Sequence, residues 1–264
     1  MDKQGEDAAT GQITAEAARI YEAFFVPALF GQFAPWLVEA VGAGRSDHVL
    51  DVATGTGVVA RAALEQGARV TAVDINEGML SVAKDLEARV TYQLASSEAL
   101  PFDDNVFDVV TCQFALMFFE DRVKALREMK RVCRPGGHVA VSVFAPWRDS
   151  PGYCDLIPLL GDIMGPEAAE ALKAPFCLGA AGTLEELLMQ AGAADAKVIR
   201  KTGLVRHSSL DGWLDTEIGG WTLASEAPPQ IMQALKAAAA DRLGKYRNAD
   251  GTVSFDAPAI FAIA

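Results

Sequence analysis

The sequence is poor in the residues that metal and redox chemistry need. Its 264 residues include four cysteines and three histidines. Cys112, Cys133, Cys154 and Cys177 are scattered, with no C-x-x-C pair and no histidine close by. That spacing argues against a zinc site. The first twenty residues, "MDKQGEDAATGQITAEAARI", lack the basic start and apolar run of a secretory signal. No window reaches the ~18 uncharged apolar residues of a membrane-crossing helix. The cysteines therefore read as reduced, packed thiols, and the expected location is cytoplasmic, with no membrane insertion. Basic residues are outnumbered 23 to 35, giving a formal charge of −12. A field of that sign repels phosphate backbones, so nucleic acid is a poor partner. Ordinary solubility accounts for the same charge. Internal repeats and low-complexity tracts are absent too.

What is present is a large apolar fraction, 51%, and an alternation. From residue 48 the chain runs "HVLDVA", a helix over 58–66, "RVTAVDI", a helix over 77–87, "VTYQLA" and "FDVVTCQF". Then come the amphipathic "DRVKALREMKRVC", the turn "RPGG" and "HVAVSVF". Apolar strands alternating with amphipathic helices predict a parallel sheet with helices on both faces, doubly wound. Upstream, 14–30 reads as an unusually aromatic helix, residues 1–11 as a frayed tail, and Pro35 as the start of a second helix. Downstream, the proline-rich 145–180 reads as an inserted loop or cap. "TLEELLMQAGA" reads as a helix capped by Thr183, with Glu186 three residues on. Residues 206–247 read as mostly helical, and the strands "AKVIRKTG" and "PAIFAIA" as an antiparallel pair at one sheet edge.

The turn in "VLDVATGTGVVARAA" (residues 49–63) carries the functional question. Gly55, Gly57 and Ala60 satisfy G-x-G-x-x-G/A, and Asp74 follows Gly55 by 19 positions, 74 − 55. A nicotinamide dinucleotide fits that pattern, with the acid on a ribose. Asp51 decides against it. At the end of the first strand it would face two phosphates at a few ångström, a repulsion on the order of several kcal/mol in a partly dry site. S-adenosylmethionine carries no phosphate; its ammonium would be drawn to that acid, and its carboxylate to loop amides and a helix N-terminus. A structural role, as a turn carboxylate for Asp51 and a strand-end acid for Asp74, is the alternative.

With these residues goes a family likeness. "VLDVATGTG", "VTAVDINEGML" and "SSEALPFDDNVFDVVTCQFALMFFEDRVKALREMKRVCRPGGHVAVSVF" together resemble the class I S-adenosylmethionine-dependent methyltransferases. The likeness is to the small-molecule group (methyltransferase type 11) that includes the ubiquinone/menaquinone biosynthesis enzymes. It implies a Rossmann-like, mostly parallel seven-stranded sheet with an antiparallel edge hairpin and helical cap insertions. A single domain over 1–264 is expected, with core 35–144, 182–202 and 257–264 and cap elements 12–34, 145–181 and 203–256. The resemblance places Asp51, Ala53, Gly55, Thr56 and Gly57 in the methionine-binding loop and Asp74 on the ribose. Ile75 and Met79 flank the adenine, and Gln113 and Phe114 lie near the methionine arm. Where the family usually has an aspartate reading the adenine edge, this chain has Ser96, followed by Ser97, whose backbone can still make the contact.

Methyl transfer from a sulfonium needs an acid or base only if the acceptor must lose a proton. His48 and His138 lie at the starts of strands, away from the site, which leaves His207 and Tyr21 as catalytic candidates. Asp108 reads as a structural carboxylate. Tyr21, Phe25, Phe30, Trp147 and Trp213 are the expected substrate-contacting residues, in parts of the chain that also hold Tyr153, Phe176 and Trp221. They predict a small, partly apolar acceptor held by stacking, with core packing as the alternative for many of them. No N-P-P-Y or D-P-P-Y follows the fourth strand, so carbon or oxygen methylation is favoured, with S-adenosylhomocysteine as product. An NAD(P)-dependent oxidoreductase and a non-catalytic S-adenosylmethionine-binding protein are the competing readings. Homodimerisation is left open.

Overall fold

The computed structural model describes residues 14–219 and 227–264; the predicted frayed tail 1–11 and Trp221 lie outside them. Seven strands form one sheet in the order β3-β2-β1-β4-β5-β7-β6. They are β1 His48–Val52, β2 Arg69–Asp74, β3 Thr91–Leu94, β4 Phe107–Gln113, β5 Cys133–Phe144, β6 Lys197–His207 and β7 Val253–Ile263. The first five run parallel, and β7 lies antiparallel to both β5 and β6. From β1 the chain steps outward to β2 and β3, then returns to β4 on the other side of β1. The crevice beyond the ends of β1 and β4 is therefore the topological switch point, where open α/β sheets bind ligands.

The helices follow from local chemistry. N-terminally, α1 Ala15–Ile20 is capped by Thr14, whose hydroxyl accepts from the Ala17 amide, and α2 spans Phe33–Ala40. Along the sheet come α3 Val58–Glu65, α4 Glu77–Leu86 and α5 Arg122–Val132. On α5 the buried Ala125, Leu126, Met129 and Val132 recur at helical spacing, and Asp121 caps it by accepting from the Lys124 amide. The central strands β1 and β4 are buried on both faces, as covered parallel strands are.

The segment 145–180 is largely helical, in line with the expected helical insertions: α6 Pro151–Met164 and α7 Pro166–Lys173 each begin on a proline, which suits the first helical turn because its missing N–H is unpaired there anyway. Three sequence expectations need correction. Thr183 is the first residue of α8 (Thr183–Gln190) rather than its cap; Gly182 takes that place in a left-handed conformation, without a side-chain hydrogen bond. α2 begins at Phe33, two residues before Pro35. The "RPGG" segment is a bulge inside β5: Cys133 pairs with Phe107, His138 with Val109, and the register shifts between them. Finally, α9 Leu210–Leu214 and α10 Pro229–Arg242 bear out the helical reading of most of 206–247.

Candidate active site

Two left-handed, non-glycine residues sit at the switch point. Ala53 (φ 54°) follows β1 and Phe114 (φ 50°) follows β4. Such backbone is costly for a residue with a Cβ and persists where its surroundings enforce it. Between β1 and α3 the loop carries Gly55 (φ 56°) and Gly57 (φ 86°). A Cβ on Gly55 would meet nothing within 4 Å, so the loop opens onto space there. A Cβ on Gly57 would lie 2.9 Å from the Tyr92 hydroxyl, and its left-handed backbone strains any residue with a side chain.

Asp51 lies beneath this loop, 1% exposed. It accepts the Thr54 hydroxyl at 2.5 Å and the Thr111 hydroxyl at 2.8 Å. Burial raises its pKa to about 6 against those hydrogen bonds. Asp74, at the end of β2, accepts the Gly55 amide at 2.8 Å and the Asn76 amide at 2.9 Å, and burial raises its pKa as well. At the end of β4, Gln113 donates to the Phe30 carbonyl at 3.2 Å, while its buried side-chain oxygen has no partner.

The N-terminal segment roofs the crevice. α1 passes into a π-helical turn, Tyr21–Phe25. From that turn Glu22 accepts the Thr56 hydroxyl at 2.5 Å and an Arg61 N–H at 2.7 Å, and Arg61 also donates to the Thr56 carbonyl. Gln32 holds the roof from the other side: its amide exchanges hydrogen bonds with the Leu204 backbone of β6 at 2.7 and 2.8 Å. Tyr21 stacks on Phe30, with centroids 5.4 Å apart. Its hydroxyl pKa is pushed up by burial and by the nearby Glu22 and Asp74, so it stays protonated.

Behind the roof lies a cavity of about 80 Å³, walled by Tyr21, Phe30, Phe114, Phe144, Tyr153 and Phe176, with Glu217 the one charged residue among the described residues that line it. Phe114 and Phe144 stack at 4.3 Å. Tyr153, on α6, donates its hydroxyl to Glu217 at 2.7 Å. Glu217 belongs to a second π-helical turn, Asp215–Gly219, and burial raises its pKa to about 7.

The comparisons with known proteins concern the part of the chain that builds this crevice. A family model described as a methyltransferase domain matches residues 50–141. Residues 50–141 are thus similar to a methyltransferase domain. Among curated proteins, this domain region is 42% identical over 118 residues to a demethylmenaquinone methyltransferase of Renibacterium salmoninarum, covering 44% of this chain and 50% of that protein. It is 41% identical over 119 residues to the ubiquinone/menaquinone biosynthesis C-methyltransferase UbiE of Idiomarina loihiensis, covering 42% and 47%. The chain thus spans about half the length of the curated relatives it matches. The fold extends beyond the methyltransferase domain. A Haemonchus contortus phosphoethanolamine N-methyltransferase 2, solved with phosphomonomethylethanolamine and S-adenosylhomocysteine, superposes with TM-score 0.59 at 21% identity, over 95% of this chain and 57% of that one.

Within residues 50–141, the structure brings together Asp51, Ala53, Gly55, Thr56, Gly57, Asp74, Gln113 and Phe114 at adjacent strand ends. Met79 lies in the first turn of α4, where its amide donates to Asn76, and Ile75 is exposed just past β2. Ser97 is buried, while Ser96 is exposed and its hydroxyl accepts the Glu98 amide, closing its own turn. Tyr21, Phe25 and Phe30 line the ring-walled cavity. Three expected residues do not. Trp213 is a core residue, 0% exposed and packed 4.6 Å from Phe255, because α9 lies against β7. Trp147 is a half-buried surface residue under the Arg148 guanidinium, 4.0 Å away. His207 lines a separate, larger hollow beside Phe24 and Asp215. Its burial lowers its pKa to about 4, so it is a poor base at neutral pH. The sequence reading missed Glu22, Arg61 and Glu217. Glu22 is an acid between apolar residues, a signal the sequence offered; Glu217, two residues after Asp215, carried none. Among the described residues no cluster of metal-binding side chains occurs, and no single helix is long and apolar enough to cross a membrane.

Proposed function

We propose that this chain is an S-adenosylmethionine-dependent methyltransferase that methylates carbon or oxygen of a small, partly apolar acceptor and releases S-adenosylhomocysteine. The observation that carries the reading is the buried Asp51 under a glycine turn that opens onto space. An acid there suits a cationic amino-acid tail and disfavours a diphosphate. The unpartnered Gln113 oxygen and the open face of Gly55 are features that a bound polar group would satisfy.

In this reading the loop 53–57 and the N-terminus of α3 hold the methionine carboxylate, where amides and helix dipole favour an anion. Asp51 supplies negative potential beneath the ammonium and fixes the loop through Thr54. Asp74, already held by backbone amides, offers its remaining acceptor capacity to the ribose hydroxyls. Ile75 and Met79 flank the adenine, and Ser96 and Ser97 contribute backbone rather than hydroxyl contacts. Gln113 and Phe114 border the methionine arm. S-adenosylmethionine, when bound, supplies an electrophilic methyl on a sulfonium that departs neutral. The roof and the aromatic walls exclude water and hold the acceptor in line, which supplies much of the acceleration. A single domain with the core and cap boundaries given above, and a cytoplasmic location, belong to the same proposal.

Calorimetry with S-adenosylmethionine, S-adenosylhomocysteine and NAD tests it. Dissociation constants of roughly 1–100 μM are expected for the first two, with no measurable NAD heat. Tight NAD binding with no sulfonium binding would reverse the assignment.

A further inference from the structure

The ring-walled cavity holds one buried acid that the cofactor site does not use. Glu217 is 8% exposed, and its partner Tyr153 is 5% exposed. Tyr153 is the one donor we assign to the carboxylate; the Trp213 indole N–H is near but lies outside hydrogen-bonding geometry. Glu217 sits on a π-helical turn and lines a cavity that Tyr21 and Phe25, from the other π-helical turn, line as well. Such turns occur frequently at functional sites. Phe114, at the cofactor crevice, shares the cavity, so the carboxylate and the crevice border one aromatic-lined space.

We propose that Glu217, positioned by Tyr153, accepts the proton of an aromatic hydroxyl compound bound between these rings. The inference rests on the methyltransferase reading and names the acceptor class for it. The acceptor's O–H gives its proton to the Glu217 carboxylate. The resulting electron pair, on oxygen or delivered through the ring to carbon, forms the bond to the methyl. The methyl–sulfur bond breaks with its pair going to sulfur. One proton leaves the acceptor for each methyl received. Donor count favours a hydroxyl over an ammonium: a hydroxyl brings one proton to one carboxylate, while an ammonium brings three donors that the cavity's apolar walls cannot satisfy.

Among the described residues, few titratable groups surround Glu217. Tyr153 donates to it from α6 and Tyr21 lines the same cavity, both with raised pKa values and therefore protonated. On its own turn, Asp215 is engaged by Lys236 of α10 at 2.7 Å. His207, in the neighbouring hollow, is neutral. Glu217 thus titrates near neutral pH with little interference: it is protonated below about 7 and able to accept a proton above it.

The test uses 2-naphthol, its methyl ether 2-methoxynaphthalene and 2-naphthylethylamine as probes of the intact protein. In calorimetry at about pH 8 the naphthol should bind at least tenfold tighter than the ether, the ratio expected of a charge-assisted hydrogen bond. That preference should fade at about pH 5.5. Glu217→Gln should cut it to within about threefold at both pH values, and Tyr153→Phe, which removes a hydrogen bond to the anion, should move the midpoint upward. With S-adenosylmethionine present, Glu217→Gln should lower S-adenosylhomocysteine release from 2-naphthol by about 10²–10⁴ in kcat while leaving S-adenosylmethionine affinity unchanged. Equal affinity for naphthol and ether, an unaltered pH profile in Glu217→Gln, or preference for the amine would overturn the proposal. Absence of S-adenosylmethionine binding alongside an intact naphthol preference would instead sink the methyl-transfer reading alone.

Discussion

Beneath the glycine turn, Asp51 receives hydroxyls from Thr54 and Thr111, and Asp74 receives amides from Gly55 and Asn76. Among the described residues, Glu217 in the ring-walled cavity receives the Tyr153 hydroxyl. All three carboxyls are buried and all three have raised pKa values. Burial moves Asp51 from 3.8 to about 6 and Glu217 from 4.5 to about 7, shifts of similar size from different starting points. Asp51 is therefore the more ionised at neutral pH, and Glu217 the better placed to exchange its proton there. A group meant to hold a ligand gains from a fixed charge; one meant to move a proton gains from a pKa near the working pH.

The largest expected effect breaks the turn. Asp74→Ala removes both the acceptor of the Gly55 amide and the carboxylate assigned to the ribose. Two charge-assisted hydrogen bonds to the ligand make the loss on the order of 100-fold in S-adenosylhomocysteine affinity, about 3 kcal/mol. Calorimetry reads it directly. An affinity unchanged within threefold would remove Asp74 from the ligand site and leave it as a loop clamp.

A second experiment reads the cavity through stability. Glu217 has its pKa raised in the fold, from 4.5 to about 7. A raised carboxyl stabilises the fold most below its unfolded pKa, and that contribution is lost as pH rises from about 4.5 through about 7. The difference is worth at most roughly 3 kcal/mol. Glu217→Gln keeps an oxygen for Tyr153 but carries no titrating proton. Its stability relative to the parent should therefore climb with pH, by up to about 3 kcal/mol at pH 8, in denaturant unfolding at pH 4.5, 6 and 8. Parallel curves for the two proteins would mean that Glu217 titrates normally and would undercut its contrast with Asp51. Asp51 loses stability in the same direction, but over a lower window ending near pH 6, so the two contributions separate along the pH axis.

The same contrast explains what the sequence made legible. The turn was readable because each of its constraints is local: a strand, an acid at its end, two glycines and a second acid one βα unit on. The parallel core followed from strand and helix periodicity, and all seven strands stand near their expected places. The cavity was not readable because Tyr21, Phe114, Tyr153 and Glu217 come from four distant segments that meet only in the folded chain. Aromatic richness located its walls in part and overcounted: Trp213 and Trp147 satisfy the same composition while packing elsewhere. Proline richness over 145–180 left loop and helical cap both open; Pro151 and Pro166 open helices there. Thr183 and Glu186 fitted a capping box, yet Gly182 caps α8 through its left-handed backbone; a spacing rule names side chains and cannot see φ.

The smallest expected effect tests whether turn and cavity are coupled. Glu22 belongs to the π-helical turn that also supplies Tyr21 to the cavity, and it reaches down to Thr56 and Arg61 of the glycine turn. Its ion pair with Arg61 is about one-fifth exposed on each side, so solvent screens it and its worth is about 1 kcal/mol. Glu22→Gln should leave the sheet intact and loosen the roof, raising the S-adenosylhomocysteine dissociation rate about fivefold in stopped-flow measurements. If Glu22 joins the two regions, the variant should also weaken 2-naphthol binding to the cofactor-loaded protein, although Glu22 is not part of the cavity wall. A faster cofactor release with unchanged naphthol affinity would show that the roof serves the turn alone.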